Sequence, residues 1–188
     1  MLKSIYLTEV DLKHFGFKSL GTNVKISSDA RIYGQKNISI GNNVRIDDFV
    51  ILSAHNGFIE FGDYVFIARS SHLSGAMGLR LCDFCSMAAN TVIYSASDDY
   101  GGDYLTAQAI PQEYTHQIGG LVEIGRHVII GSSCSIIGPC IIGEGCSIGA
   151  MTLVTKDLEP WGIYVGIPAK RLKERSRGLL EMEKKFRC

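Results

Sequence analysis

The sequence predicts an all-β fold in which short parallel strands wind into a triangular coil, with a short helix at each end. Aliphatic residues recur at every sixth position over most of the chain, and small or β-branched residues stand two positions before them. Six is a multiple of the two-residue repeat of a strand and not of the 3.6-residue repeat of a helix. Because side chains alternate along a strand, both sets should point inward.

The inward positions form two series, one of large residues and one of mostly small residues. The large series is Ile26, Ile32, Ile40, Ile46, Leu52, Phe61, Ile67, Leu73, Leu81, Met87, Ile93, Ile124, Ile130, Ile136, Ile142, Ile148 and Val154. The second series is Val44, Val50, Val65, Ser71, Cys85, Thr91, Val122, Val128, Cys134, Cys140, Cys146 and Thr152.

Longer steps interrupt the repeat, and each one falls three large residues after the step before it. The steps are 32→40, 52→61, 73→81 and 93→124. Three hexapeptides therefore make one coil, and every insertion leaves from the same corner of a triangular prism. A single coil cannot bury its own interior, so the coils must stack as in other solenoids.

The ends of the chain lie outside the repeat and divide it into three parts. We expect a cap at 1–21 with a short helix over 8–20 and Thr8 as its N-cap. The coil should occupy 22–160, with one extended loop at 97–121. The segment 161–188 reads as a C-terminal basic helix, broken or kinked near Gly178.

The composition argues against several classes of partner. There are 19 Lys and Arg residues against 19 Asp and Glu, which does not favour a nucleic acid or a membrane surface. No apolar run approaches the roughly 20 residues that a spanning helix needs. We expect a cytoplasmic protein. Its cysteines should pack as small apolar side chains, with Cys82-x-x-Cys85 serving structure and not metal binding.

The loop at 97–121 is the first candidate for function, because long irregular loops in compact domains are usually functional. Asp98 and Asp99 follow directly on the predicted strand 90–95, where a general base would be held rigidly. Acyl transfer from a thioester needs such a base and donors for the tetrahedral oxyanion. A turn or corner cap is the structural alternative for this Asp pair.

Histidines and one tyrosine are further candidates. His116 ends the same loop, and His72 lies in the repeat 67–72, so either could reach the cleft as a catalytic or substrate-binding group. Tyr94, on the strand before the loop, is a candidate substrate contact. His55 and His127 are assigned structural roles, and His14 lies in the predicted cap helix. A zinc site is not expected, because the sequence has no closely spaced His-x4-His pair.

A second candidate segment lies near the end of the coil. Residues 149–157 offer small side chains at a corner, where backbone amides can approach a ligand. The run that follows Pro168 concentrates Lys170, Arg171, Lys173 and Arg175, and such charges suit the phosphates of a nucleotide cofactor. An ordinary basic terminal helix is the structural alternative.

The repeats, the single long loop and the stretch IGAMTLVTKDLEPWGIYVGIPAKRLKERSR together resemble the hexapeptide-repeat acyltransferases over nearly the whole chain. The segments ISIGNNVRIDDFVILS and IYSASDDYGG look most like the N-acyltransferases that act on nucleotide-linked aminodeoxy sugars, such as the one in the anthrose pathway. The resemblance implies a left-handed parallel β-helix, a hand that the repeat itself does not reveal.

The resemblance also implies ligands, assembly and residue roles. It implies acetyl-CoA or another acyl-CoA as co-substrate, no metal, and a homotrimer with active sites between subunits. By position, Asp98 matches the base proposed in the amino-sugar enzymes, and the lack of His at Asp99 favours N- over O-acylation. Ala88 stands where the anthrose enzyme has a Ser near its substrate amine, a departure that puts the same sugar in doubt. The implied coenzyme-binding positions are Ser132, Ala150, Thr155, Lys156, Pro168, Lys170 and Arg171.

Three hypotheses follow from these residues. The first is N-acylation of a nucleotide-linked amino sugar for a surface polysaccharide, with Asp98 as base. The second is O-acetylation of a sugar hydroxyl, of the galactoside or maltose acetyltransferase type, with His116 or His72 as base. The third is a β-helix scaffold without enzymatic activity.

Overall fold

A computed structural model describes residues 5–107 and 109–187 and shows a three-sided parallel coil. The strands of each side stack in parallel register from one coil to the next, as solenoid strands must. We number the sides in chain order as the first, second and third faces. The corners between them are corner 1–2, corner 2–3 and corner 3–1.

The strands are short, and each face carries one strand from almost every coil. The first face holds Ser19–Leu20, Ile38–Ile40, Ile59–Phe61, Leu79–Leu81, Val122–Ile124 and Cys140–Ile142. The second face holds Lys25–Ile26, Arg45–Ile46, Phe66–Ile67, Ser86–Met87, Ile129–Ile130, Ser147–Ile148, Gly162–Val165 and Lys170–Glu174. The third face holds Arg31–Tyr33, Ile51–Ser53, His72–Ser74, Val92–Tyr94, Ser135–Ile137 and Leu153–Val154.

The core runs along the axis of the prism and consists mainly of the two predicted series, to which the structure adds Ile38, Ile59 and Leu79. Every residue of the large series except the half-buried Ile32 is buried, and so is every residue of the small series. The cysteines at the inward positions are free thiols, and burial raises the pKa of Cys85 to about 12. The predicted six-residue repeat and the packing role of these cysteines are confirmed.

The corners differ in a way that decides where insertions occur. Corners 1–2 and 2–3 turn through single residues with positive φ, which non-glycine side chains rarely adopt. These are Asn23, Asn43, Phe49, Tyr64, Ser70, Phe84, Asn90, His127, Ser133, Met151 and Trp161. Each of the predicted insertions leaves from corner 3–1, which is the corner that carries the long loop.

The N-terminal helix is shorter than predicted. It runs over Glu9–His14, and Thr8 caps it, because the Thr8 hydroxyl accepts a hydrogen bond from the backbone of Asp11 while the Asp11 carboxylate accepts one from the backbone of Thr8. Leu12 is its one buried residue and closes the first coil against water. The predicted N-cap is confirmed.

The prediction of a C-terminal helix over 161–188 is wrong for the first half of that segment. Lys170–Glu174 is a strand that pairs antiparallel with Gly162–Val165 and so covers the open edge of the second face. The C-terminal helix begins only at Gly178 and ends at Arg187. Backbone hydrogen bonds offered by the exposed sheet edge outweigh the helix propensity of this Lys- and Arg-rich segment.

The C-terminal helix is attached to corner 1–2 by one carboxylate. Glu183 accepts hydrogen bonds from Arg126 at 2.6 Å and from Arg187 at 2.7 Å, and it lies 2.7 Å from Nε2 of His127. Phe186 packs edge-on against Tyr64. His127 therefore has the structural role that the sequence predicts for it.

Candidate functional site

The long loop leaves the coil as a two-stranded antiparallel neck. Ala96–Asp98 pairs with Gln117–Gly119, which places Asp98 opposite Gln117. Gly119 has a φ of 155°, and a Cβ there would lie 2.2 Å from the carbonyl oxygen of Ser95. Only glycine allows the returning strand to approach the coil so closely. The neck therefore holds Asp98 in a fixed position at corner 3–1.

A cavity of about 630 Å³ lies between the loop and the corner. Two preceding coils contribute Asn56, Ala76 and Met77, so the loop folds back over corner 3–1 toward the N-terminal coils. The remaining lining residues come from the loop and its neck: Asp98, Thr106, Ala107, Ile110, Gln112, Thr115, His116 and Gln117.

A second cavity, of about 560 Å³, opens on the third face beside the first. The two cavities share Ala76, Asp98 and Gln117, so the Asp98 side chain stands at their border. The second cavity is also lined by Ser74, Tyr94, Ala96, Ser97, Tyr100 and Ile137. Two substrates placed in these cavities would meet at Asp98.

The two adjacent aspartates have different surroundings. The Asp99 carboxylate accepts hydrogen bonds from the backbone amides of Gly101 at 2.7 Å, Asp103 at 2.8 Å and Tyr104 at 3.0 Å. These bonds lower the pKa of Asp99 and make it a weaker base. The Asp98 carboxylate accepts no hydrogen bond from the described residues and is half-exposed to both cavities. Its oxygens are therefore available to a ligand.

The candidate histidines occupy different places. Nδ1 of His72 lies 3.1 Å from the hydroxyl of Tyr94, and the two rings meet edge to face. Burial lowers the pKa of His72, so its imidazole is neutral near pH 7 and orients Tyr94 in the second cavity. His116 lines the first cavity together with Asp98 and packs against the ring of Tyr104. Asp98 and His116 therefore line the same cavity, whereas His72 contacts Tyr94 and lines neither cavity.

The predicted coenzyme-binding residues form three groups near the C-terminal end of the coil. Ser132 and Ala150 lie one above the other at corner 2–3, where the backbone amide of Met151 donates to the carbonyl of Ser132. Thr155 and Lys156 lie at corner 3–1. Pro168 precedes the last strand, and Lys170 and Arg171 are its first two residues. None of these seven described residues lines either cavity.

Sequence reasoning missed the lining residues that come from other coils. Asn56, Ala76 and Met77 belong to short insertions at the same corner as the long loop. The coil register already placed those insertions directly beneath the loop, so the signal was present. Gln117 was missed because the antiparallel neck has no hexapeptide signature.

The part of the chain that the structure describes holds neither a metal-ion cluster nor a membrane-spanning helix. Within 5–107 and 109–187, no group of three or more His, Cys, Asp or Glu residues is arranged to hold a metal ion. In the same ranges, neither helix has the length and apolar character needed to cross a lipid bilayer.

Comparison with known proteins identifies close relatives. Residues 122–156 match the family described as bacterial transferase hexapeptide (six repeats). The dTDP-4-amino-4,6-dideoxy-D-glucose acyltransferase of Escherichia coli is 46% identical over 182 residues, which cover 97% of this chain and 95% of that enzyme.

Solved structures agree with this relationship. AntD, an N-acyltransferase from Bacillus cereus in complex with dTDP and 3-hydroxybutyryl-CoA, superposes with a TM-score of 0.93 at 41% identity, over 98% of this chain and 97% of AntD. Galactoside acetyltransferase in complex with coenzyme A has a TM-score of 0.58 at 20% identity, over 89% of this chain and 70% of that one, and shares the fold alone.

These likenesses confirm the predicted left-handed parallel β-helix and the predicted kinship with enzymes that transfer acyl groups. The chain belongs to the hexapeptide-repeat acyltransferases, in the family that contains the E. coli dTDP-4-amino-4,6-dideoxy-D-glucose acyltransferase.

Proposed function

We propose that this enzyme transfers an acyl group from an acyl-CoA to the amino group of a dTDP-linked 4-amino-4,6-dideoxy sugar. The activity for which the E. coli relative is named and the ligands bound to AntD support this substrate class. The observation that carries the proposal is the position of the Asp98 carboxylate. It accepts no hydrogen bond from the described residues, and it lies where the two cavities meet.

The chemistry assigns one task to Asp98. The amine nitrogen attacks the thioester carbonyl carbon, and a tetrahedral oxyanion forms. Asp98 accepts the proton that the attacking nitrogen must lose, and backbone amides stabilise the oxyanion. The C–S bond then breaks, and coenzyme A leaves as a thiolate that takes up a proton. The product is an amide on the sugar.

Asp99 has a supporting place in this proposal. Its carboxylate is committed to three backbone amides of the loop, so it shapes the loop behind Asp98. Tyr94, oriented by His72, and His116 border the space where the sugar would bind and act as its contacts.

We place the coenzyme along the wall formed by Ser132, Ala150, Thr155 and Lys156. The small residues at corner 2–3 let a ligand approach the backbone, and Lys156 and the Lys170-Arg171 pair would meet its phosphates, with Pro168 turning the chain between them. Since none of these residues lines the Asp98 cavities, the pantetheine arm must span the distance between the two regions.

A homotrimer with active sites between subunits fits the separation of the coenzyme wall from the Asp98 cavities. Phe49 and Met151 are 63% and 69% exposed at corner 2–3, although large apolar side chains usually seek burial. A neighbouring copy packed along this corner would cover them and bring a second wall toward the cavities. Sedimentation equilibrium would show three copies per particle, and a monomer at micromolar concentration would contradict this assembly.

We also infer a cytoplasmic place in the synthesis of a surface polysaccharide such as O-antigen. Acyl-CoA and nucleotide-linked sugars are both substrates of the proposed reaction, so the enzyme must work where both are made.

The test is Asp98→Asn, with Asp103→Asn as the matched control because Asp103 is an exposed carboxylate of the same loop that lines neither cavity. Loss of a positioned base should lower kcat about 100-fold or more, with coenzyme A affinity unchanged by calorimetry. Activity of Asp98→Asn within about threefold of the parent would remove Asp98 from the role of base.

O-acetylation of a sugar hydroxyl is the second candidate, because His116 shares the first cavity with Asp98. If His116→Ala abolishes turnover while Asp98→Asn leaves it intact, a hydroxyl acceptor with a histidine base is the correct reading.

A further inference from the structure

Gln117 is a second polar side chain that borders both cavities. The residues that the two cavities share are Ala76, Asp98 and Gln117, and Ala76 has no polar atom in its side chain. The other polar residues of the two linings, such as His116 and Tyr94, border one cavity each. Two substrates that meet at the Asp98 carboxylate would therefore meet the Gln117 amide as well.

The neck of the loop holds these two side chains next to each other. Asp98 and Gln117 are direct partners where Ala96–Asp98 pairs with Gln117–Gly119. Directly paired residues of antiparallel strands point their side chains to the same side, with Cβ atoms about 4.5–5.5 Å apart. The next pair on that side is Ala96 with Gly119, and both residues are small. The neck therefore leaves the space beside the carboxylate and the amide open.

The Gln117 amide is free to bind a ligand. Its side chain is exposed and forms no hydrogen bond with the residues that the structure describes. The Asp98 carboxylate likewise accepts none from these residues. Because a carboxylate oxygen and an amide oxygen both accept hydrogen bonds, the neck presents two neighbouring acceptors to the place where the cavities meet.

The attacking nitrogen of the proposed reaction matches two such acceptors. A neutral primary amine has two N–H bonds and one lone pair, and the N–H bonds point away from the carbonyl carbon that the lone pair attacks. Two acceptors that each bind one of these N–H groups at about 2.9 Å lie roughly 4.7 Å apart, because the N–H bonds diverge at about the tetrahedral angle. The paired Cβ atoms of the neck have a similar separation, about 4.5–5.5 Å.

We propose that the side-chain oxygen of Gln117 accepts one N–H of the attacking amine while Asp98 accepts the other. Asp98 takes the proton that the nitrogen loses. Gln117 takes no proton, and the N–H that it binds remains in the amide product. Its contribution is to direct the nitrogen lone pair at the thioester carbon. This role rests on the proposed function, because it presumes an amine acceptor.

The first test replaces Gln117 by Met, which keeps the length of the side chain and removes the amide. With acetyl-CoA and dTDP-4-amino-4,6-dideoxyglucose, kcat/KM should fall about tenfold or more. The KM for acetyl-CoA and the Kd for dTDP should stay at parental values. The pH profile should keep its parental shape, because an amide does not titrate in the range of the assay.

Ile118→Met is the matched control. Ile118 lies on the same strand as Gln117, its side chain points to the other side of the neck, and it lines neither cavity. The control should keep parental kinetics. Gln117→Met should also keep the parental Tm, since its side chain forms no hydrogen bond with the described residues.

Gln117→Glu separates an acceptor from a donor. Glutamate keeps an oxygen acceptor at the same distance from the backbone and, when ionised at pH 8, has no donor. If the Gln117 oxygen binds the amine, Gln117→Glu should retain more activity than Gln117→Met. Equal or lower activity in Gln117→Glu would contradict the acceptor role and indicate that the amide NH2 group donates instead.

A kcat/KM for Gln117→Met within about threefold of the parent would overturn this inference. If Asp98→Asn still loses activity in that case, the proposed function stands without a role for Gln117. Failure of the parent protein to acylate the amino sugar would instead refute the proposed function itself.

Discussion

The inward and outward alternation of the strands can be tested on two adjacent isoleucines. Ile142 is fully buried, with register partners Ile124 and Leu158 in the coils on either side. Ile141, the residue before it on the same strand, is 53% exposed. The two positions share residue type, strand and neighbouring backbone, and they differ only in the side of the sheet to which the side chain points.

Replacing Ile142 by Ala removes three buried carbons from a core that cannot close around the gap, because its backbone is fixed by hydrogen bonds on both sides. Such substitutions cost about 2–5 kcal/mol, and Ile→Val costs about 0.5–1.5 kcal/mol. For a chain of this size each kcal/mol lowers Tm by about 2–4 °C. A loss of about 3 kcal/mol in Ile142→Ala therefore lowers Tm by about 6–12 °C. The Tm of Ile142→Val should lie between that of the parent and that of Ile142→Ala.

Differential scanning calorimetry at one protein concentration measures these shifts, since oligomers unfold at concentration-dependent temperatures. Ile141→Ala should change stability by no more than about 0.5 kcal/mol. A Tm loss in Ile141→Ala equal to or greater than that in Ile142→Ala would refute the assigned register of the coil.

Further predictions concern the titratable groups. Burial raises the pKa of Cys85 to about 12, so Cys85 should stay unmodified when the native protein is treated with a maleimide at pH 8, as mapped by mass spectrometry, and should react once the protein is unfolded. Burial acts to raise the pKa of Glu183, but hydrogen bonds from Arg187 and His127 and the charge of Arg126 lower it overall. A depressed carboxyl pKa adds stability above the ordinary Glu pKa, and that stability is lost as the pH falls through the lowered value. Glu183→Gln should therefore lower Tm at pH 7 more than at pH 3.5, whereas Glu181→Gln, which removes only an exposed pair with Lys184, should change Tm little at either pH.

The sequence allowed the coil to be predicted because the repeat and the core are the same residues. A strand side chain that faces the axis must be apolar at fixed intervals, so the interior is visible as a period of six. The common corner of the insertions was visible for the same reason, since Ile93 and Ile124 bracket the long loop as Leu52 and Phe61 bracket a short one. The hand came from resemblance alone.

The errors arose where tertiary contacts decide local structure. Lys170–Glu174 has a composition suited to a helix, yet the edge strand Gly162–Val165 offers it hydrogen bonds that no local pattern reveals. Asp98 and Asp99 are equivalent in sequence. They differ in the structure because Gly101, Asp103 and Tyr104 turn their amides toward Asp99 only.

The surroundings of His55 also depend on tertiary contacts. Its ring lies beside that of Tyr33 only because two coils stack on each other. Likewise, Asn56 borders the cavity only because the loop folds back over an earlier corner.

The most direct test of the account is the chemical nature of the bond that the enzyme makes. The purified protein would be incubated with acetyl-CoA and dTDP-4-amino-4,6-dideoxyglucose, and the release of free thiol followed. The acetylated sugar would then be treated with alkaline hydroxylamine, which cleaves oxygen esters and spares amides. One thiol should be released per acetylated sugar, and the product should survive hydroxylamine. A hydroxylamine-sensitive product, or acetyl-CoA left intact in the presence of this sugar, would contradict the account.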